Sequence, residues 1–319
     1  MTTQGKGTPM QANVVVIGSL NMDLVARAPR LPRAGETLIG ESFATVPGGK
    51  GANQAVAAAR LGARVAMIGC VGDDAHGARL RAGLVAEGID CSALAEVAGC
   101  SSGVALIVVD DSSQNAIVVI PGANDELSPA RVEALDPILA TASILVCQLE
   151  TPRLSVAYAL RRGRELGKTV ILNPAPASEA LPPEWYAWID YLIPNESEAA
   201  LLSGLPVDSL ESAEAAAAHL RRAGATTVIL TLGARGALRV GADGARHFPA
   251  EAVRAVDTTA AGDTFVGAFA AALARGLDEA GAIAFGQRAA ALSVTRPGAQ
   301  PSIPHLRELE APGATRSTP

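Results

Sequence analysis

The run Asn13-Val14-Val15-Val16-Ile17-Gly18 decides the fold class. It is continuously apolar, rich in β-branched residues and closed by glycine, the pattern of a strand covered on both faces rather than one alternating between core and water. Similar runs recur at Arg64–Val71, Ser143–Gln148, Thr169–Asn173, Tyr191–Asn195 and Thr227–Leu232. Between them lie Ala-rich helical patterns at Ala52–Leu61, His76–Glu87 and Pro152–Leu166, each stopped by a glycine (Gly62, Gly88, Gly167) where a left-handed cap is needed. Glu211–Ala223, Asp263–Ala274 and Asp278–Thr295 extend the series. Strand–helix alternation of this kind predicts an α/β fold with a mainly parallel, doubly wound sheet and helices on both faces.

Two stretches break the rhythm. Asp23–Val46 and Cys100–Pro121 carry strand-like segments at Thr37–Ile39, Gly103–Val109 and Gln114–Ile120 with no helix between them, and Asp110-Asp111-Ser112-Ser113 reads as a hairpin turn. They predict a small separate sheet that covers a site or pairs with another subunit. The 319 residues are 49% hydrophobic and 18% charged, enough for a large core, and 26 Lys+Arg against 32 Asp+Glu give a net charge of −6. That balance offers no electrostatic footprint for nucleic acid or an acidic membrane. No apolar run approaches the ~20 residues of a membrane span. Cys70, Cys91, Cys100 and Cys147 have no CxxC spacing and read as small buried hydrophobes. The N-terminal 1–11 reads as a loose leader without an export core, and 311–319 as a frayed tail. A cytoplasmic location is expected.

Five segments could carry chemistry. Gly48-Gly49-Lys50-Gly51-Ala52-Asn53-Gln54 opens a helix; its glycines admit a close ligand and its amides are free donors. It is neither a Walker A loop nor GxGxxG. Asn21-Met22-Asp23 follows the first strand, and Glu150 follows Ser143–Gln148, both where open α/β sheets bind ligands. Asn195-Glu196-Ser197-Glu198 begins a helix; its acids alone are ordinary dipole partners, yet their oxygens also suit hydrated Mg²⁺. Thr231-Leu232-Gly233-Ala234-Arg235-Gly236 is a glycine turn at another strand end. Asp257-Thr258-Thr259-Ala260-Ala261-Gly262-Asp263-Thr264-Phe265 is the strongest: a small-residue turn delivers successive amides to a helix start, a nest for phosphoryl charge, with Asp263 placed to accept a hydroxyl proton. A helix cap explains Asp263 but not the Ala-Ala-Gly-Asp turn. His76, His219, His247 and His305 show no metal-ligand spacing, and Trp185 and Trp188 read as a packing edge.

These segments, with Pro-Gly-Ala-Asn at 121–124, Gln-Leu-Glu at 148–150, Asn-Pro-Ala-Pro at 173–176 and Thr-Arg-Pro-Gly-Ala-Gln-Pro-Ser at 295–302, give the chain a resemblance to the ribokinase-like (PfkB) carbohydrate kinases from Val14 to about Leu309. The resemblance implies a three-layer α/β/α sandwich over 12–310, with a β lid from inserts at about 22–46 and 100–121 that shields the sugar and clasps a second subunit into a homodimer. It implies ATP-dependent phosphorylation of D-ribose at O5. The sugar would be held by Asn21, Met22, Asp23, Gly49, Lys50, Gly51, Ala52, Asn53 and Glu150. Asp263 would be the base, and Ala260, Ala261 and Gly262 the anion hole. ATP would lie along Asn195, Thr231, Leu232, Gly233, Ala234, Arg235, Gly236, Gly262 and Asp263, with Gln287 near the adenine. Asn195 and Glu198 would organise Mg²⁺, largely through water. K⁺ would be held by Asp257 and main-chain oxygens of Thr259, Ser293, Arg296 and Gly298, with Ser302 beside it.

The chain departs from the family's pattern at Gln287, where another member has His, and at Val266, where Asn is common. Competing readings are a sister kinase of another sugar or a nucleoside, and a silent sugar-binding protein, whose sign would be loss of Asp263 or its glycine turn. A dinucleotide oxidoreductase would need the glycine fingerprint that is missing here.

Overall fold

Every residue of strand β1 (Val14–Ile17) is buried. Val14 and Val16 face one hydrophobic core and Val15 and Ile17 the other, which is why the run is continuous rather than alternating. The computed structural model describes residues 13–112 and 114–310, so the expected leader at 1–11 and tail at 311–319 lie outside the described residues. The remaining strands are β2 (Asn21–Arg27), β3 (Ser42–Gly48), β4 (Val65–Gly72), β5 (Leu94–Val97), β6 (Gly103–Val109), β7 (Asn115–Ile120), β8 (Ile144–Cys147), β9 (Thr169–Leu172), β10 (Tyr191–Leu192), β11 (Thr227–Thr231), β12 (Ala237–Gly241) and β13 (Gly244–Phe248). The helices are α1 (Lys50–Arg60), α2 (Ala75–Ala86), α3 (Pro129–Glu133), α4 (Asp136–Thr141), α5 (Arg153–Glu165), α6 (Pro183–Tyr186), α7 (Glu196–Ser203), α8 (Leu210–Arg222), α9 (Ala261–Ala274), α10 (Glu279–Ser293) and α11 (Leu306–Glu310).

The main sheet has nine strands in the order β13-β12-β11-β10-β9-β8-β1-β4-β5. Pairings from β11 to β5 are parallel, while β12 and β13 run antiparallel. Buried residues of α1, α2, α9 and α10 cover one face; those of α3, α4, α5, α6, α7 and α8 cover the other. From β1 the chain moves outward to β4 and β5, then returns to place β8 on the opposite side of β1. Strand order therefore reverses between β1 and β8, and beyond their carboxyl ends such a sheet leaves a crevice for ligands.

The inserts form a second, four-stranded sheet of order β3-β2-β6-β7. The expected strand at Thr37–Ile39 is not there; β3 occupies Ser42–Gly48 instead. The reason is register. β3 pairs with β2 from Gly48 opposite Asn21 to Ser42 opposite Arg27, and β2 ends at Arg27, before Pro29. Residues 37–39 thus have no partner. The expected strand through Asn195 also stops at Leu192, because Pro194 has no N–H to donate; Asn195 keeps only an isolated bridge to Thr231. Strands β2, β5, β12 and β13 are absent from the sequence reading, which places Asn21-Met22-Asp23 in a loop beyond β1, whereas these residues open β2. The Asp243-Gly244 pair between β12 and β13, with Gly244 at φ +109°, was the hairpin signal available for two of them.

Helix α1 meets α9 closely at Gly267, where a β-carbon would lie 2.5 Å from the Gln54 carbonyl oxygen and 2.6 Å from the Ala57 β-carbon. Both contacts are on a rigid, buried helix, so nothing can give way cheaply. Gly267→Val should destabilise the fold by about 1–3 kcal/mol, the usual cost of overpacking. Urea unfolding checks it; an unchanged midpoint would contradict this account of the helix pair.

Candidate active site

Several residues expected to hold the ligand gather at the β1/β8 crevice because three chain segments end there. After β1, Ser19 Oγ donates to Glu150 Oε2 at 2.6 Å, and Glu150 follows β8. The same Oε2 accepts the Lys50 main-chain N–H at 3.0 Å, at the start of α1. Gly49 lies at φ +88°, and a side chain there would come within 2.6 Å of the Asn21 nitrogen, so glycine is required for α1 to begin this close to β2. Gly51 meets the Ser19 nitrogen just as tightly. Glu150 therefore fastens one helix start to the end of β1 with a single oxygen.

Asn21 opens β2 and is 4% exposed. Its Oδ1 accepts Asn124 Nδ2 at 2.8 Å, while Asn124 Oδ1 accepts the Leu20 N–H at 2.9 Å. This leaves the Asn21 amide nitrogen as the group free to donate. Asp23, two residues on, is pushed from 3.8 up to about 7 by burial, with the charges of Glu150 and Asp263 adding to the effect. Lys50 is driven down by burial but more strongly up by Asp263, Glu150 and Glu198, so its ammonium is held charged above its ordinary range. Glu150 and Asp263 thus act on both Asp23 and Lys50, and Glu198 acts on Lys50. Met22 is fully buried in the core and Ala52 nearly so, so each can face the crevice only through its main chain.

Asp263 lies in the first turn of α9 and is 6% exposed. Asn53 Nδ2 donates to its Oδ2 and Gln54 Nε2 to its Oδ1, each at 3.0 Å. Asn53 Oδ1 is buried without a hydrogen-bond partner. The turn before Asp263 is made of small residues, as the sequence reads it. Ala260 caps α9 at φ 57°, an uncommon conformation for a non-glycine residue, and a β-carbon at Gly262 would meet nothing within 4 Å. The Ala261 amide, expected in the anion hole, is already engaged with Thr258 O, and the Thr264 amide donates to Ala260 O, so the Gly262 and Asp263 amides are the ones in this first turn with no acceptor among the described residues.

Asn195 and Glu198 form a capping box. Asn195 Oδ1 accepts the Glu198 N–H at 2.8 Å, and Glu198 Oε2 accepts the Asn195 N–H at 2.9 Å. Glu198 is raised by burial, against the opposing effects of the Asn195 bond and Lys50. Each side chain keeps one further atom for a hydrated ion or phosphate. Among the described residues, no group of three or more His, Cys, Asp or Glu is arranged to hold a metal, so Mg²⁺ would need oxygens from phosphate and water as well.

Thr231 ends β11, and Gly233, Ala234, Arg235 and Gly236 follow it. Leu232 is buried, and Arg235 bonds Glu196 Oε1 at 2.8 Å, joining this turn to α7. A β-carbon at Gly233 would meet open space, whereas one at Gly236 would strike the Phe248 oxygen at 2.0 Å. Gln287 Nε2 donates to that same Phe248 oxygen at 2.7 Å and lines a cavity of about 220 Å³ with Phe248, Pro249, Glu251, Ala284 and Arg288.

Of the expected K⁺ residues, Thr259 and Gly298 bond Asp257. Its Oδ1 accepts the Thr259 N–H and hydroxyl at 2.9 and 2.6 Å, and its Oδ2 accepts the Gly298 N–H at 2.8 Å. Burial pushes Asp257 up, but the bonds from Thr259 and Gly298 outweigh it and hold the carboxyl below its ordinary range. Ser293 and Ser302 are buried with hydroxyls turned to Ala290 O and Ala299 O, and Arg296 pairs with Glu308.

Sequence reasoning gave no role to Gln54, Asn124, Gln148, Asn173 or Ser19, which orient the residues it did single out. Gln54, flanked by Asn53 and Ala55 in a helix that is otherwise mostly small and apolar, was the readable signal: a fully buried amide there must have partners.

With this geometry described, comparison with known proteins is informative. The profile of the pfkB family carbohydrate kinases matches residues 11–306. The chain is 44% identical over 301 residues to a ribokinase of Haemophilus influenzae, covering 94% of this chain and 97% of the relative. It is 40% identical over 297 residues to a deoxyribokinase of Salmonella typhimurium, covering 93% and 97%. Arabidopsis thaliana ribokinase, solved in complex with ribose and ATP, superposes with a TM-score of 0.87 at 31% identity, covering 94% of this chain and 98% of that one. The nine-stranded body with its separate small sheet is the ribokinase-like fold.

The raised Asp23 carboxyl has a consequence for stability. Between its ordinary value and about 7, the folded chain retains a proton that the unfolded chain has released, so this group's contribution to stability falls as pH rises through that window. Asn cannot ionise. In ligand-free protein, Asp23→Asn should leave Tm nearly unchanged near pH 4 and raise it relative to the parent above about pH 7. A Tm difference that does not vary with pH would contradict the burial of this charge.

Proposed function

This chain belongs to the pfkB family of carbohydrate kinases, and from that premise we propose that it transfers the terminal phosphoryl group of ATP to O5 of D-ribose, giving D-ribose 5-phosphate and ADP. The observation that carries the reading is Asp263: a buried carboxylate in the first turn of α9, fixed by two amide donors and preceded by an open small-residue turn. The sugar oxygen forms its bond to the γ-phosphorus while the bond from that phosphorus to the β,γ-bridging oxygen breaks, its electron pair leaving with ADP. The hydroxyl proton passes to Asp263 and later to solvent. A loose phosphoryl-transfer transition state asks little of the base early on, so alignment and the α9 amides facing developing charge supply most of the acceleration.

Sugar selection rests on paired polar groups. The amide nitrogen of Asn21, the carboxylates of Asp23 and Glu150, and the unpartnered Asn53 Oδ1 match a polyol that both donates and accepts. A substrate lacking one hydroxyl would leave one of them buried and unpaired, a heavy penalty. ATP lies along Asn195, the Thr231–Gly236 turn and the Gln287 cavity. Mg²⁺ would be organised by Asn195 and Glu198 through water and would neutralise phosphate charge that the crevice carboxylates repel. K⁺ would be held by Asp257 and the 293–302 loop. The second sheet is read as a lid and dimer clasp: β7 is exposed along its whole length, and Ile117, Val118 and Val119 leave an apolar edge that favours pairing with a second copy. We read residues 12–310 as one domain, and the location as cytoplasmic.

Asp263→Asn should keep sugar binding while lowering kcat by about 10²–10⁴-fold. Calorimetric titration with D-ribose and a coupled ADP assay read the two separately; near-normal turnover would refute the base. In the same assay the unmodified enzyme should prefer D-ribose over 2-deoxy-D-ribose, adenosine and fructose, and should be faster in K⁺ than in a large organic cation. A preference for 2-deoxyribose would move the reading to the sister activity carried by the Salmonella typhimurium relative. Equal rates in both cations would remove the K⁺ site.

A further inference from the structure

A chain of buried side-chain amides runs beneath Asp263, and its direction is dictated by one main-chain carbonyl. Ile193 O can only accept, and it takes Asn173 Nδ2 at 2.8 Å. Asn173 Oδ1 must then face inward, where it accepts Gln54 Nε2 at 3.0 Å. The Gln54 carbonyl oxygen consequently points the other way and accepts Gln148 Nε2 at 2.7 Å. One hydrogen of Gln54 Nε2 remains, and it goes to Asp263 Oδ1 at 3.0 Å. Each amide has one donor end and one acceptor end, so no member can flip without setting two like ends against each other. Gln54 and Gln148 are fully buried and Asn173 is 8% exposed, so water is poorly placed to repair a flipped link.

Asp263 thus has two inequivalent oxygens. Oδ1 is turned toward the amide chain, whereas Oδ2 is shared with Asn53, whose own Oδ1 lacks a partner. We infer that Gln54 is a positioning residue for phosphoryl transfer: it holds Asp263 Oδ1 inward, so that Oδ2 alone takes the proton of the sugar hydroxyl. The inference deepens the proposed function and rests on Asp263 being the base. Gln54 itself touches Asp263 and not the substrate. It sits on α1 beside the Gly267 contact, so helix packing sets its reach, and the ends of β8, β9 and β10 set its polarity. The strands that define the crevice therefore fix which carboxylate oxygen faces it.

Two variants with different folding risks test this. Gln54→Met removes every polar atom at similar length. Gln54→Glu keeps an acceptor for Gln148 but withdraws the donor from Asp263. In either, kcat should fall by about 10- to 100-fold, the scale of a misplaced catalytic group, while KM for D-ribose stays within about threefold. A merely structural role would raise KM and depress Tm along with kcat. A soluble variant of either kind with parental kcat overturns the inference. The Asp263→Asn protein separates this result from the underlying reading: if it also keeps turnover, the base assignment fails, and if it loses turnover while Gln54 variants do not, only the positioning role fails. A crystal structure of the unmodified protein with D-ribose needs no variant. Oδ2 facing the terminal hydroxyl supports the inference, and Oδ1 facing it overturns it.

Discussion

The hydrogen bonds from Asn53 and Gln54 to Asp263 tie the starts of α1 and α9 to a single carboxylate, and much of the site depends on that tie. Two helix N-termini directed at one place create partial positive charge there, and Asp263 alone does not neutralise it for an arriving phosphate. The tie can form only because α1 and α9 approach closely. Gly267 allows it, and the carbonyl of Gln54 is the atom it accommodates. The same residue is a packing contact through its main chain and an amide donor through its side chain. Core packing and site geometry are therefore one constraint rather than two.

Charge in the crevice is lopsided. Glu150, Glu198 and Asp263 act on Lys50, while Asp23 feels the like charges of Glu150 and Asp263. Such an arrangement is poorly suited to receive a polyphosphate by itself, and it is relieved in two ways. Asp23 takes up a proton near neutrality, and a sugar hydroxyl or a divalent cation would supply further positive character. Glu150 spends one oxygen on Ser19 and the Lys50 amide, so only its other oxygen remains to face a sugar. The apparent crowding of acids is in part architecture: carboxylates that brace helix starts also line the crevice.

The small sheet is built into this arrangement at its first residue. Asn21 begins β2, its side chain is oriented by Asn124, and Gly103 opposite it leaves no room for a β-carbon beside either amide. A shift of the second sheet would therefore carry Asn21 and Asp23 with it, coupling the cover to the sugar contacts. At its far edge β7 is exposed and apolar, which an isolated sheet in water would not favour.

The sequence by itself determined the alternation of covered strands with helices, the two covered faces of β1, the β6–β7 hairpin and the placing of glycine turns at helix starts, because these follow from local periodicity and from conformations only small residues adopt. Gly49, Gly262 and Asp263 were legible as chemistry for that reason. The failed strand at Thr37–Ile39 shows where local reading ends: its propensity was sound, but β2 had run out of length to pair with it. Tertiary structure alone decided which polar atoms meet. Gln54 reaches Asp263 across 209 positions and Asn173 across 119, and the direction of the whole amide chain is set by Ile193 O, just beyond β10. A side-chain amide reads the same in either orientation along a sequence. Only its partners, brought together by packing, distinguish the donor end from the acceptor end.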